Sequence, residues 1–290
     1  MKRTSLSLLL ILSTICGWGQ TKDSIDQCQI VVAYDYRCNT FDKNGSAVVD
    51  SFKLAVLVGT HVTKCAPFYR TMTEDFGEWK NRSYQEGEWF ERQSNIPSIY
   101  INYPEGEMTT LDKIIPQWYE VQGAIPVIDW KMTEDTLTVG GYLCQKAVGK
   151  YAGRKWTAWY TEDIATTAGP WKLRGLPGLI MKAVDADNTH SFEFCGLQNR
   201  KDKISFNSLE QMHLYTKTDQ RKFIKNRNKV FMSKRYVQDP RYYITADDLK
   251  EAVEMWAAGP EPAPEDKVTV FSRDMVVPKK AHVYQPLELE

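Results

Sequence analysis

The chain has 290 residues and a formal net charge of zero, with 37 Lys and Arg against 37 Asp and Glu. That balance excludes a globally basic nucleic-acid binder and an acidic tail protein. With 42% hydrophobic and 12% aromatic residues, the chain can bury a sizeable core, which excludes a disordered protein, and its length fits one large domain or two small ones.

The first element is an export signal. Lys2 and Arg3 form a short basic start, Ser5 to Ile15 is apolar, and Gly17-Trp18-Gly19 places small residues before a cut at Gln20. This pattern predicts a secretory signal peptide over residues 1–19, too short in its apolar run for a membrane span. Cys16 follows Ile15, where a lipoprotein peptidase needs a small residue, so lipidation is disfavoured. Past the signal, Cys28, Cys38, Cys65, Cys144 and Cys195 remain. An oxidising compartment predicts that some of them pair, with at least one left free. Cys28 and Cys38 are excluded as partners, because one strand of ten steps holds them roughly 33 Å apart. No C-x-x-C spacing is present to make a thioredoxin-like or zinc-ribbon site.

From Cys28 to Cys38 apolar and polar residues alternate with period two, the signature of a half-buried strand. Asn44-Gly45 supplies a turn and Phe52 to Val58 the return strand. Residues 79–103 read as short aromatic edge strands and loops, and the register around Trp118 to Trp130 is unclear. Tyr142 to Val148, the Ala152-Gly153 turn and Trp156 to Tyr160 form a second hairpin. Leu179 to Val184 and His190 to Phe194 form a third around Asp185-Ala186-Asp187-Asn188. Trp156 and Trp159 differ in parity and cannot share a face.

Beyond residue 208 the pattern turns helical. Asp219 to Arg235 is predicted as a helix burying Phe223, Val230 and Phe231, and Thr245 with Asp248 opens a second, Thr245 to Trp256. Pro260, Pro262 and Pro264 begin an extended tail. Residues 217–241 hold nine basic residues against Asp219 and Asp239, whereas residues 242–266 hold seven acidic residues against Lys250. The first block offers a candidate basic contact surface, Arg221, Lys222, Lys225, Arg227, Lys229, Lys234 and Arg235, for an anionic lipid surface or an acidic envelope partner. The competing reading is two helices that neutralise each other.

The most specific string runs from Gly169 to Ile180. Gly169, Pro170, Trp171, Gly175, Leu176, Pro177, Gly178, Leu179 and Ile180 form a structural signature in which Pro177-Gly178 satisfies a type II turn with positive φ at Gly178. Gly175 is expected to allow close packing. This segment resembles the signature of the GLPGLI family of Bacteroidota envelope proteins, whose string stands at Gly175–Ile180. Gly140 to Ala147, Gly153 to Tyr160 and Pro286 to Glu290 also look like family features, so the resemblance spans roughly residues 25–290. Ala165-Thr166-Thr167 departs where a proline is expected after Ile164. The resemblance implies a secreted protein without assigned chemistry. The Gly-Tyr-x-Cys and Trp-x-x-Trp strands are also similar to the half-open β-barrel of periplasmic lipoprotein carriers. Asp23-Ser24-Ile25 and Asp135-Thr136-Leu137 look like the O-glycosylation acceptors of Bacteroidota.

Catalytic signatures are missing from the sequence: there is no G-x-S-x-G, H-E-x-x-H or P-loop, and His61, His190, His213 and His282 lie far apart. Cys144 and Cys195 read as buried or bonded cysteines before nucleophiles. Asp185 to Asn188 lacks the Gly and Glu of a calcium loop, and the aromatic rings read mostly as core. The expectation is therefore mainly β (α+β): a curved antiparallel sheet or half-open β-barrel with a helical C-terminal portion. Its divisions are a β domain over 20–208, a helical segment over 209–258 and a Pro-rich tail over 259–290. No cofactor, metal or nucleic acid is expected. The leading function is a non-enzymatic envelope accessory or binding module; a carrier of lipid or hydrophobic peptide and a hydrolase are the alternatives.

Overall fold

The computed structural model describes residues 24–42, 44–68, 71, 97–114, 117–206, 215–233, 237–238, 281–283 and 285–289. The signal peptide, most of the aromatic stretch 79–103, Lys234, Arg235, the Thr245 to Trp256 helix and the Pro260 to Pro264 stop lie outside these residues.

The period-two pattern at the start becomes β1 (Ser24–Phe41), an 18-residue strand paired along most of its length with β2 (Ala47–Gly59) across a turn where Gly45 has φ +82°. Then come β3 (Thr63–Pro67), β4 (Ser98–Ile101), β5 (Glu107–Ile114) and β6 (Gln117–Ala124), each antiparallel to the one before. β4 is not an edge strand as expected: all four residues are buried between β3 and β5. The period-two rule is uninformative there because both faces of the strand are covered.

A second run comprises β7 (Lys131–Val139), β8 (Tyr142–Tyr151), β9 (Arg154–Thr161), β10 (Leu179–Asp185) and β11 (His190–Asn199). Ala152 and Gly153 have φ of +53° and +75°, the two positive angles of a type I′ hairpin turn. β11 pairs with β1, so the two runs share one sheet, joined beside β1 by β12 (Lys203–Ser205). From edge to edge the order is β13 (Thr216–Asp219), β6, β5, β4, β3, β2, β1, β11, β10, β9, β8 and β7. The chain therefore passes from β6, next to one edge, to β7 at the other through residues 125–130 alone. Ten strand spacings of a flat sheet would be roughly 48 Å wide, whereas the steps from Ala124 to Lys131 reach about 25 Å at most. The sheet must curl, and Ile125, Ile128 and Trp130 of the crossing segment pack on the core of its inner face. It stays open: β7 and β13 are its ends and are not paired to each other.

That inner core draws Val32, Tyr34 and Tyr36 from β1, Phe52, Leu54 and Val56 from β2, and Trp156, Ala158 and Tyr160 from β9. Trp156 is fully buried and Trp159 only partly, in keeping with their opposite parity. A smaller cluster on the other face holds Cys28, Val31, Ala55, Leu57 and Ile204.

β13 joins β6 in parallel and leads directly into α1 (Gln220–Ser233), so the sheet continues past the expected boundary at residue 208. Asp219 caps the helix, accepting the Lys222 amide at 2.9 Å. The buried face of α1 includes Phe223, Ile224 and Arg227, while Val230 is 38% exposed, a correction to its expected place in the buried stripe; the Phe231 side chain lies outside the described residues. Hydropathy favoured Val230, but ion pairing buries Arg227 instead.

All five cysteines are free, contrary to the expected pairing. No strand register places two of them opposite each other: Cys38 faces His190 and Asp50, Cys65 faces Val56 and Ile99, and Cys144 faces Leu137.

Candidate functional site

The Gly169–Ile180 string folds onto the inner face of the sheet, where Trp171, Leu173 and Leu176 are buried in the main core. Trp171 packs 5.5 Å from Tyr151 and 5.9 Å from Trp156 between ring centroids. The two glycines exchange their expected roles. Gly175 has φ +95° with open space where a Cβ would sit, whereas Gly178 is absent from the positive-φ residues and a Cβ on it would overlap the backbone of Thr161. Gly178 thus permits β10 to leave directly alongside β9, and Gly175 makes the turn. Pro177 is exposed, Pro170 is buried and accepts the Leu173 amide at 3.1 Å, and a Cβ on Gly169 would overlap the Leu173 carbonyl. Leu179 and Ile180 are fully buried, and the Ile180 carbonyl accepts the Tyr34 hydroxyl at 2.7 Å.

Beside this string lies a buried polar cluster built by hairpin geometry. The type I′ turn starts β9 at Arg154, and the β10–β11 hairpin brings Asp185 and His190 together. Arg154 Nη1 donates to Asp185 Oδ2 at 2.6 Å, and Asp185 Oδ1 accepts the His190 amide at 2.9 Å. Asp185 is thus a buried anchor and not simply a turn residue. The imidazole of His190 lies between the Tyr36 hydroxyl, 2.9 Å from Nδ1, and the Pro286 carbonyl, 3.3 Å from Nε2. A carbonyl only accepts, so the neutral ring carries its proton on Nε2. Burial, reinforced by the Arg154 charge, pushes the His190 pKa down to about 3.

Residues 285–289 complete the cluster. Arg154 donates to two successive carbonyls, Nη2 to Pro286 O at 2.5 Å and Nε to Leu287 O at 3.2 Å. The Glu288 carboxylate sits between Lys172 Nζ of the signature string and Arg227 Nη2 of α1, the latter at 3.3 Å. Arg227 Nη1 also reaches Asp112 of β5 at 3.0 Å. Asn228 Nδ2 donates to the Glu288 carbonyl at 2.9 Å, and the Leu289 amide to the Ala152 carbonyl at 3.1 Å. Burial pushes the Glu288 carboxyl up, but the charges and hydrogen bonds of Lys172 and Arg227 outweigh it and hold its pKa below the usual range. Three cations, Arg154, Lys172 and Arg227, thus face three carboxylates, Asp112, Asp185 and Glu288, which keeps the buried charge compensated.

Of the predicted basic surface, Arg221, Lys222, Lys225 and Lys229 are exposed on α1, with Lys222 3.0 Å from Asp219. Arg227 does not belong to it: it is buried in the cluster, because i, i+4 spacing from Phe223 turns it toward the sheet. The residues missed from sequence are Lys172, Asp185, Arg154 and Glu288. For Arg154, Lys172 and Glu288 the signal was a charge set among core residues in each of three segments, Gly153–Tyr160, Gly169–Ile180 and Pro286–Glu290, which here meet beside Asp185 of the β10–β11 hairpin. Within the cluster both ring nitrogens of the neutral His190 are engaged, by Tyr36 and by Pro286. Burial also pushes the Cys38 and Cys65 thiols up to about 12, far from thiolate chemistry at neutral pH. Among the described residues no group of three or more His, Cys, Asp or Glu could hold a metal ion, and no helix is long and apolar enough to cross a membrane.

A sequence-family match covers residues 150–182 and bears the description "Protein of unknown function (Porph_ging)" rather than the GLPGLI name. It contains both the Gly153–Tyr160 and Gly175–Ile180 segments. No curated protein matches. Among solved structures, PNGF-II in its P21 crystal form is similar at 16% identity and a TM-score of 0.44, covering 72% of this chain and 34% of that one; its C2 form gives 15% and 0.41. The chain thus spans about a third of PNGF-II's length. The LolA superfamily protein NE2245 from Nitrosomonas europaea is similar at 10% identity and a TM-score of 0.24, covering 60% of this chain and 87% of that one.

Proposed function

We propose that the chain is an exported, non-enzymatic cell-envelope protein of the GLPGLI type that acts as an accessory or binding module through the outer face of α1. The observation that carries this reading is the division of that helix into two faces. Phe223, Ile224 and Arg227 bind it to the sheet, while Arg221, Lys225 and Lys229, at i, i+4 and i+8, form an exposed basic row. Such a row attracts an acidic partner or an anionic envelope surface at physiological salt. The carrier reading ranks below it because the chain's own Trp171, Leu173 and Leu176 already pack on the inner face that an apolar cargo would need.

The test compares wild type with the Arg221→Glu/Lys225→Glu/Lys229→Glu variant. Association with native envelopes, scored by co-sedimentation and co-purification, should fall at least about tenfold, equivalent to roughly 1.4 kcal/mol, with the thermal midpoint little changed. Vesicles of anionic and of zwitterionic phospholipid separate a lipid surface from a protein partner. Undiminished envelope association by the folded variant refutes the assignment.

A further inference from the structure

The charge pattern of α1 is one that an isolated helix tolerates poorly. Its 14 residues hold Arg221, Lys222, Lys225, Arg227 and Lys229 and no carboxylate, and like charges four apart weaken a helix that is already marginal at this length. Its apolar anchor is small: Phe223 packs with Ile114, Val121 and Tyr119 in a cluster separate from the main core. The start of the helix is fixed by β13, by the Asp219 cap and by Gln220, which hydrogen-bonds the Tyr151 side chain. Further along, Arg227 Nη1 meets Asp112 at 3.0 Å, while Arg227 Nη2 and Asn228 Nδ2 meet the carboxylate and the carbonyl of one residue, Glu288, at 3.3 and 2.9 Å.

Glu288 belongs to a strap, residues 285–289, whose other ties run to the β8–β9 hairpin and the signature string. Leu287 packs on the main core, Arg154 donates to the carbonyls of Pro286 and Leu287, and the Leu289 amide donates to the Ala152 carbonyl. Lys172 shares the Glu288 carboxylate with Arg227. The strap thus spans from the β8–β9 turn to the helix and brings a buried carboxylate to an element that has none of its own. We propose that residues 285–289 are a latch on α1: seated, they hold the second half of the helix against the sheet and keep the exposed basic row in helical register; unseated, they release both. Control of the row rests on the binding function proposed above, whereas the latch itself rests only on the contacts of Glu288 and its neighbours.

The experiment is hydrogen–deuterium exchange on the full chain, read by mass spectrometry, with β1, β2 and β9 as internal references. Glu288→Gln keeps the shape of the side chain and removes its charge. Leu289→Pro removes the amide bonded to Ala152 and changes no group that bonds to α1. In both variants the amides of residues 226–233 should exchange at least about tenfold faster than in wild type while the reference strands keep their protection. Association with native envelopes should fall at least about fivefold in the same variants. If Glu288→Gln does not fold, Leu289→Pro carries the test, because it leaves every buried charge in place. Unchanged exchange over residues 226–233, or an increase shared equally by the reference strands, overturns the latch. Faster exchange there with undiminished envelope association overturns its control of the row. Failure of the binding reading is distinguishable from both: the charge-reversed row would then still associate, and the exchange result would support the latch unaltered.

Discussion

The buried imidazole of His190 makes a quantitative prediction about pH. In the unfolded chain its pKa is close to 6.5, whereas in the fold burial and the nearby Arg154 charge hold it at about 3. Between these values the unfolded state binds more protons. The stabilisation is therefore complete above pH 6.5 and is lost as pH falls through the window toward 3. A gap of this size corresponds to roughly 5 kcal/mol over the whole window, at about 1.4 kcal/mol per unit. Carboxylates such as Glu288, whose pKa is also lowered in the fold, begin to contribute below about pH 4.5. The clean comparison therefore runs from pH 7.5 to 4.5, where His190 accounts for roughly 2–3 kcal/mol. Glutamine keeps a donor and an acceptor for Pro286 and Tyr36 but cannot take up a proton. Urea denaturation at pH 7.5, 6.5, 5.5 and 4.5 should show wild type losing more stability than His190→Gln by that amount, the other histidines cancelling between the two proteins. Parallel pH profiles for the two would refute the picture of a buried neutral ring.

Two further perturbations separate the forces at the signature. Gly178→Ala forces a Cβ into the Thr161 backbone and should cost about 1–3 kcal/mol or more, while Gly175→Ala has space and pays only for its φ of +95°, about 1–2 kcal/mol; chemical denaturation that ranks Gly175→Ala as the more damaging change contradicts the assignment. In a double-mutant cycle, Lys172→Met and Glu288→Leu together should cost less than the sum of the singles by about 1–3 kcal/mol, since each single change alone disturbs a buried charge balance. Additive effects in thermal or chemical melts would mean that the pair is not coupled.

Local chemistry alone determined the β hairpins, because alternation, Asn44-Gly45, Ala152-Gly153 and the ring-rich Trp156 to Tyr160 strand act over a few residues. It determined the start of α1 for the same reason, Asp219 needing only the next turn of backbone to cap. It also marked the Gly169–Ile180 string as structurally demanding, though with the jobs of its two glycines reversed. Positive φ at Gly178 is what the Pro-Gly dipeptide favours in isolation, and only the presence of β9 alongside turned that position into a steric requirement. β4 escaped because a strand covered on both faces has no alternation to read. The cysteines stayed apart because strand order, which depends on long-range pairing, decides who faces whom. Most of all, the tertiary structure decided what the charges are for: Arg154, Lys172, Asp185, Arg227 and Glu288 stand far apart in sequence, and no local pattern states that they meet. The curl of the sheet, enforced by the short β6–β7 crossing, brings these five residues together with Asp112 into one buried site of three cations and three carboxylates.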